Sequence, residues 1–338
     1  MKPRIAFIDV ARGVAMAGIV LMHYTQSHTV GLLHAAVSFG GAGVHLFFFL
    51  SGWGLAGSLQ MEPLAFYRRR LARVWIPYAL WLSILFSLSL VGLAKHGITL
   101  MEFLGHIALF GMFDSNQYFT VGFEYWFMFP LFQFYLMFPV IAWTRRRCAS
   151  TKTFAVVCTA VSIGWICLLY FTGLNARIAW NSAAPVFMWE FGLGIVAAEA
   201  FARGHKAYWE LAPGWLATIL IVGAGLTGGM ALYGGSIGKM LNDAPSLATI
   251  FAAAALAHQT LALWPAAQRS AVQFGQWSYS LYLTHMLALS IASTIVPDGM
   301  IPVIIALPLA VIMAWAFQKL VDAIGHWGSK GTPAAQST

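Results

Sequence analysis

Charge is what this sequence lacks. Only 9% of its 338 residues are Asp, Glu, Lys or Arg, where a soluble domain carries about a quarter, and 60% are hydrophobic. So few charges cannot cover a water-exposed surface, so a soluble globular protein is excluded and a polytopic membrane protein is expected. Acidic residues are the scarcest, 11 against 19 Lys and Arg, for a net charge of +8. In a soluble chain that excess would suggest nucleic acid. In a membrane chain it is read through where the basic residues fall, so no nucleic-acid partner is expected. Cysteine is nearly absent: Cys148, Cys158 and Cys167 have neither metal-ligand spacing nor a disulfide framework, and are expected to be structural. A Gly-rich nucleotide loop, a Ser-His-Asp arrangement and a metal-ligand pattern are also missing, so no metal is expected and any anion must be held by arginines. Long polar stretches are missing too, the longest being the tail "SKGTPAAQST".

What is present is a series of apolar runs, each near the roughly 20 residues needed to cross a bilayer. They can be drawn at 5–25, 42–60, 75–94, 123–143, 153–172, 183–202, 214–233, 245–264, 274–296 and 301–323. The expectation is an all-α fold of about ten transmembrane helices, in one domain over residues 1–326, with a short polar tail at 327–338. The opening "MKPRIAFIDVARG" has a basic flank, but Asp9 and Arg12 interrupt the apolar run and no small-residue cleavage site follows. A retained first helix is therefore expected. With both termini in the cytoplasm, the inner segments hold most of the Lys and Arg, among them Arg68, Arg69, Arg70, Arg73 and Arg145 to Arg147, against Lys95, Arg177 and Lys239 outside. That is the asymmetry of the positive-inside rule. The stretch 99–114, "TLMEFLGHIALFGMFD", has an apolar core too short to span and reads as a re-entrant or interfacial helix.

Three constellations could carry chemistry. Arg12 and His23 are eleven residues apart, about three helical turns, so they share one face of the first helix about 16 Å apart along its axis. Asp9 lies on the same stripe and can pair with Arg12. The competing reading is an interfacial histidine and an arginine neutralised by Asp9. In "FYRRRLARVW", helical spacing lets Arg70 and Arg73, or Arg69 and Arg73, converge on one anion, and the guanidinium fork suits phosphate. A purely topogenic role is the alternative. In "SYSLYLTH", Ser278, Tyr282 and His285 fall on one face and form either a site or a hydrogen-bonded packing strip. His45, in "GVHLFFFLSGWGL", sits at a depth similar to that of His23.

These pieces together resemble the acyltransferase-3 family of integral membrane acyltransferases. "FIDVARGVAMAGIVLMH" resembles its first-helix signature through Arg12 and His23, "GVHLFFFLSGWGL" its second helix, "RRRLAR" its Arg-x-x-Arg element at Arg70 and Arg73, and "SYSLYLTH" its late stretch ending in His285. "WFMFPLFQFYLMFP" is similar to another family stretch beginning at Trp126, but Leu131 stands where many relatives carry a glutamate. Glu124, two residues before Trp126, either substitutes for it or caps the helix. The proline after Arg73 is Pro77, one residue later than in the family's pattern.

The resemblance implies transfer of an acyl group, most often acetyl, from cytoplasmic acyl-CoA to a hydroxyl of an extracytoplasmic glycan or related acceptor, by a multi-pass protein of the inner membrane. It implies His23, with Glu124, as catalytic, and Arg12, Arg69, Arg70 and Arg73 as donor-binding. Asp9, His45, Trp126, Tyr282 and His285 are placed around the substrate. His23 would act as general base or be transiently acylated. Lipid surrounds the chain, and a homo-oligomer is open. A proton-coupled transporter using the same buried His and Arg residues is the rival reading, as is a non-catalytic subunit that binds a lipid or glycan precursor. No internal repeat between the halves supports the transporter.

Overall fold

The fold is taken from a computed structural model that describes residues 5–93, 97–114, 116, 118–234, 238, 241–297 and 299–330, apart from the side chains of 32, 112 and 326–330. Lys2, Arg4, Lys95, Lys239 and most of the expected tail lie outside these residues. Every element among them is helical. The longer ones are α1 (Ala6–Thr25), α2 (Gly31–Ser38), α3 (Gly43–Leu55), α4 (Pro63–Arg70), α5 (Ile76–Leu90), α6 (Leu100–Ile107), α7 (Met128–Arg147) and α8 (Thr151–Thr172). After these come α9 (Ile178–Asn181), α10 (Met188–Ala202), α11 (Pro213–Tyr233), α12 (Asp243–Ala262), α13 (Pro265–Gln276), α14 (Ser278–Ile295) and α15 (Ile301–Lys330).

The protein is an all-helical membrane protein. Eight segments among the described residues are long and apolar enough to cross a bilayer: Ala6–His28, Leu33–Ser58, Pro63–Leu90, Phe123–Arg147, Thr151–Thr172, Ile178–Ala202, Pro213–Tyr233 and Ile301–Gly325. The two other runs drawn from the sequence are also helices, α12 and α14, but both are more polar. The reason for α14 is its burial: Ser278, Ser280, Tyr282, Thr284 and His285 are all enclosed by the bundle, so they never meet lipid. The 99–114 stretch contains only the eight-residue α6, about 12 Å long and too short to span. It starts with a reciprocal Thr99–Glu102 capping box and docks on α5, where Tyr78 Oη and His106 Nδ1 lie 3.1 Å apart.

Inside a bilayer, helices are held by close packing more than by hydrophobic exclusion, so small residues decide where backbones touch. A Cβ on Gly52 would lie 1.9 Å from the Phe191 carbonyl oxygen, and one on Gly194 1.9 Å from that of Phe49. These two glycines lock α3 against α10. Gly275 does the same between α13 and α1, where a Cβ would meet the Asp9 carbonyl oxygen at 1.8 Å. Stacked aromatic pairs fill the remaining core, Phe48 on Phe187 and Phe134 on Phe191, each with ring centroids 4.3 Å apart.

Between α4 and α5 the helix continues through one π-turn, Leu71–Trp75. Pro77 lies just beyond it, without an N–H to donate to the preceding turn, and a widened turn accommodates such a gap. Because this turn holds more residues than an α-turn, the i, i+3 alignment expected for Arg70 and Arg73 does not apply as drawn. Tyr279 fixes the widened turn by donating to the Val74 carbonyl at 2.8 Å.

Candidate active site

Among the described residues the bundle forms a large, partly open cavity of about 1670 Å³, and its walls bring together residues far apart in sequence. Arg12, Arg70 and Arg73 line it, and so do His23, Glu124, Trp126 and Tyr282. Arg12 and His23 reach it from one face of α1, separated by about 16 Å along the axis. The cavity therefore joins a cationic zone to an imidazole at another level of the same helix. Small-molecule pockets run to roughly 300–1,000 Å³, so there is room for a large nucleotide-bearing molecule.

The cationic zone brings arginines from two helical segments to one wall. Arg12, Arg69 and Arg73 all act electrostatically on Arg70. Arg70 packs against Phe66 and Tyr135, its guanidinium carbon 5.6 and 5.8 Å from the ring centroids, and its buried Nε has no hydrogen-bond partner in the protein. Guanidinium groups gathered on a cavity wall have the fork geometry that suits anions such as phosphate. Arg12 lies 3.5 Å from Asp9, which is buried and helps hold it.

At the other level two histidines face each other, His23 Nδ1 2.8 Å from His285 Nε2, with stacked rings. The arrangement fixes the tautomers. His285 Nδ1 lies 2.8 Å from the Tyr282 carbonyl oxygen and 3.2 Å from that of Leu281. Carbonyl oxygens only accept, so Nδ1 of His285 carries the proton and, in the neutral ring, Nε2 is an acceptor. His23 must then donate from Nδ1. Its Nε2 keeps the lone pair, on a residue that lines the cavity. A neutral imidazole thus orients the His23 ring and leaves its Nε2 able to accept a proton.

Aromatic and hydroxyl groups hold this corner in place. Tyr24 donates to the His285 carbonyl at 2.5 Å, Tyr125 to the Leu283 carbonyl at 3.0 Å, and Trp81 to Tyr125 Oη at 2.8 Å. Tyr282 donates to the Glu124 carbonyl at 2.5 Å, so its hydroxyl positions the Phe123–Phe127 turn. Phe123 meets His23 edge-on at 5.0 Å. The Glu124 side chain is buried and lines the cavity, as does Leu131, which offers no carboxylate.

A family model described as an acyltransferase domain matches residues 5–319, nearly the whole chain. The chain belongs to the acyltransferase-3 family. No curated protein and no solved structure matches it.

The structure divides the expected site residues of this acyltransferase into two groups. His23, Glu124, Arg12, Arg70, Arg73, Trp126 and Tyr282 share the cavity. His285 is fully buried and holds the His23 ring. Asp9 sits behind Arg12, and Arg69 is exposed, off the cavity wall, on the first turn before the π-helix. His45 is placed elsewhere, against Glu190 and Asp243. Sequence reasoning did not find Gln273, Gln276, Lys319 and Asp322, which also line the cavity. The signal was present for the first two, in the polar face of α13, but not for Lys319 and Asp322, which look like ordinary helix-end charges.

Proposed function

We propose that this acyltransferase takes its acyl group from acyl-CoA, most simply acetyl-CoA, at the Arg12–Arg70–Arg73 zone and passes it to an acceptor hydroxyl beside His23. The observation that carries the reading is the single cavity reaching both groups. The arginines that line the cavity meet the nucleotide phosphates. The pantetheine arm then covers the distance along α1, placing the thioester near His23. His23 Nε2 takes the proton from the acceptor oxygen as that oxygen attacks the thioester carbonyl. The new bond is C–O, the broken bond is C–S, and the proton passes from His23 to the departing thiolate. A positioned base of this kind contributes about 10²–10⁴-fold.

As His23 becomes an imidazolium, its Nδ1–H bond to neutral His285 becomes charge-assisted and stronger. His285 thus stabilises the state that forms during transfer. Glu124, which lines the same cavity, holds the acceptor hydroxyl. The basic residues orient the arginine zone toward the cytoplasm of a plasma (inner) membrane, with His23 toward the opposite face and a glycan or related hydroxyl compound as acceptor. The second, smaller cavity supports a ring-shaped acceptor: Phe119, Phe123, Trp126, Ile178 and Ser182 line it, and Trp126 belongs to both cavities.

The test is purified protein in lipid supplied with labelled acetyl-CoA. Release or transfer of the label, lost in His23→Ala at unchanged thermal stability, supports the assignment. Undiminished turnover in that variant removes His23 as base. Solute uptake into proteoliposomes without any acyl donor would favour a carrier instead.

A further inference from the structure

Outside the cavity, one cluster of ionisable side chains is used by nothing described so far. His45 Nδ1 lies 2.8 Å from Glu190 Oε1, and His45 Nε2 lies 3.6 Å from Asp243 Oδ1. The three residues come from α3, α10 and α12, and one donor atom from each falls within 4.8 Å of the others. Glu190 is fully buried, and its second oxygen, Oε2, has no hydrogen-bond partner.

Three observations favour a cation here over a purely internal network. First, charge: burial opposes ionising Glu190 and Asp243 by themselves, whereas a divalent ion beside a neutral imidazole lets both carboxylates ionise with no net charge left in the cluster. Uncompensated buried charge is costly. The first turns of α10 and α12, which carry Glu190 and Asp243, favour carboxylates through the helix dipole, but that does not satisfy Glu190 Oε2. Second, distance: 3.6 Å is too long for a hydrogen bond, yet close to the separation of two ligands bound to one ion at about 2.0–2.2 Å. The second nitrogen of the ring is held by a carboxylate, as in most metal-ligating histidines. Third, rigidity: α3 and α10 are locked by the Gly52–Phe191 and Gly194–Phe49 contacts, so His45 and Glu190 stand on a fixed platform.

We propose that His45, Glu190 and Asp243 bind a divalent transition-metal ion of the zinc class, which ties α12 to the α3–α10 pair. His45 Nε2 and Asp243 are direct ligands, Glu190 holds the opposite ring nitrogen, and water completes the coordination. Mixed imidazole and carboxylate donors select ions of this class over Mg²⁺ or Ca²⁺. His45 and Asp243 are each only partly enclosed, which leaves an access route for the ion. Phe187 lies 6.1 Å from His45 and 6.4 Å from Trp126, ring to ring, so the site is one side chain removed from the aromatic wall of the active-site cavity.

The test uses the full chain in lipid nanodiscs, as purified, after dialysis against EDTA, and after return of Zn²⁺, with metal content by mass spectrometry and thermal unfolding followed in parallel. About one ion per chain is expected, with a midpoint that falls by about 5 °C on chelation and returns with Zn²⁺. His23→Ala should behave the same way. Asp243→Asn should lose the ion, and Glu190→Gln should weaken it about 10- to 100-fold. A wild-type chain that holds no ion after exposure to Zn²⁺ and gains no stability would overturn the proposal, as would Zn²⁺ retention undiminished in both carboxylate variants.

Discussion

Replacing His285 by phenylalanine isolates the contribution of the histidine pair. The substitution keeps a flat ring against His23 and removes the Nε2 acceptor. The Tyr24 bond goes to the His285 main-chain oxygen and survives. The Leu281 and Tyr282 carbonyls that His285 Nδ1 contacts lie within the body of α14 and keep their place in its backbone ladder. What disappears is the bond that becomes charge-assisted when His23 takes a proton. A hydrogen bond to a charged group contributes about 1.5–3 kcal/mol, and each factor of ten in rate is about 1.4 kcal/mol, so kcat should fall about 10- to 150-fold. The KM for the donor should change little, because the arginines are untouched. Acyl transfer by the reconstituted variant, measured alongside its thermal midpoint, decides the matter. An unchanged kcat in a folded variant would refute the idea that His285 orients the base.

Other consequences follow from the same geometry. Arg70→Ala or Arg73→Ala should raise the donor KM by about 10- to 100-fold, in keeping with about 1.5–3 kcal/mol per charge-assisted contact, while Arg69→Ala should leave it near wild type; titration with acyl-CoA compares all three. Because a base must be unprotonated to act, kcat in wild type should fall as pH is lowered through the titration of the histidine pair, and a pH–rate profile of the donor-saturated enzyme tests this. Gly194→Ala forces a Cβ onto the Phe49 carbonyl and should cost at least about 1–3 kcal/mol, seen as a lowered thermal midpoint; an unchanged midpoint would contradict the tight α3–α10 contact. Reversing Arg145 to Glu should likewise lower the midpoint, and reversing Glu199 to Arg in the same chain should restore part of it, because these side chains pair at 2.7 Å between α7 and α10.

Much of the fold could be read directly, and the failures have identifiable physical causes. Apolar runs located the bundle because bilayer thickness sets their length. The runs that became α12 and α14 are the less apolar ones, since their polar side chains turn inward and hydropathy cannot tell an enclosed serine from an exposed one. The shared face of Arg12 and His23 follows from 100° per residue and survives in the structure. The alignment of Arg70 with Arg73 does not survive as drawn, because the π-turn at Leu71–Trp75 breaks the 3.6-residue period that the alignment presumed. Spacing put Ser278, Tyr282 and His285 on one face but gave no depth. Only the packed structure separates Tyr282 on the cavity wall from His285 behind His23. The His45–Glu190–Asp243 cluster was illegible, with His45 and Glu190 145 positions apart and no motif joining them. Their meeting is set by the two glycine contacts between α3 and α10, which tertiary structure alone reveals.

The most direct measurement is a cryo-EM structure of the protein with CoA bound. The account predicts phosphates within hydrogen-bond reach of Arg70 and Arg73 and the thiol deep in the cavity on the His23 side. CoA bound outside the cavity, or inside it with its thiol pointing away from His23, would contradict the account.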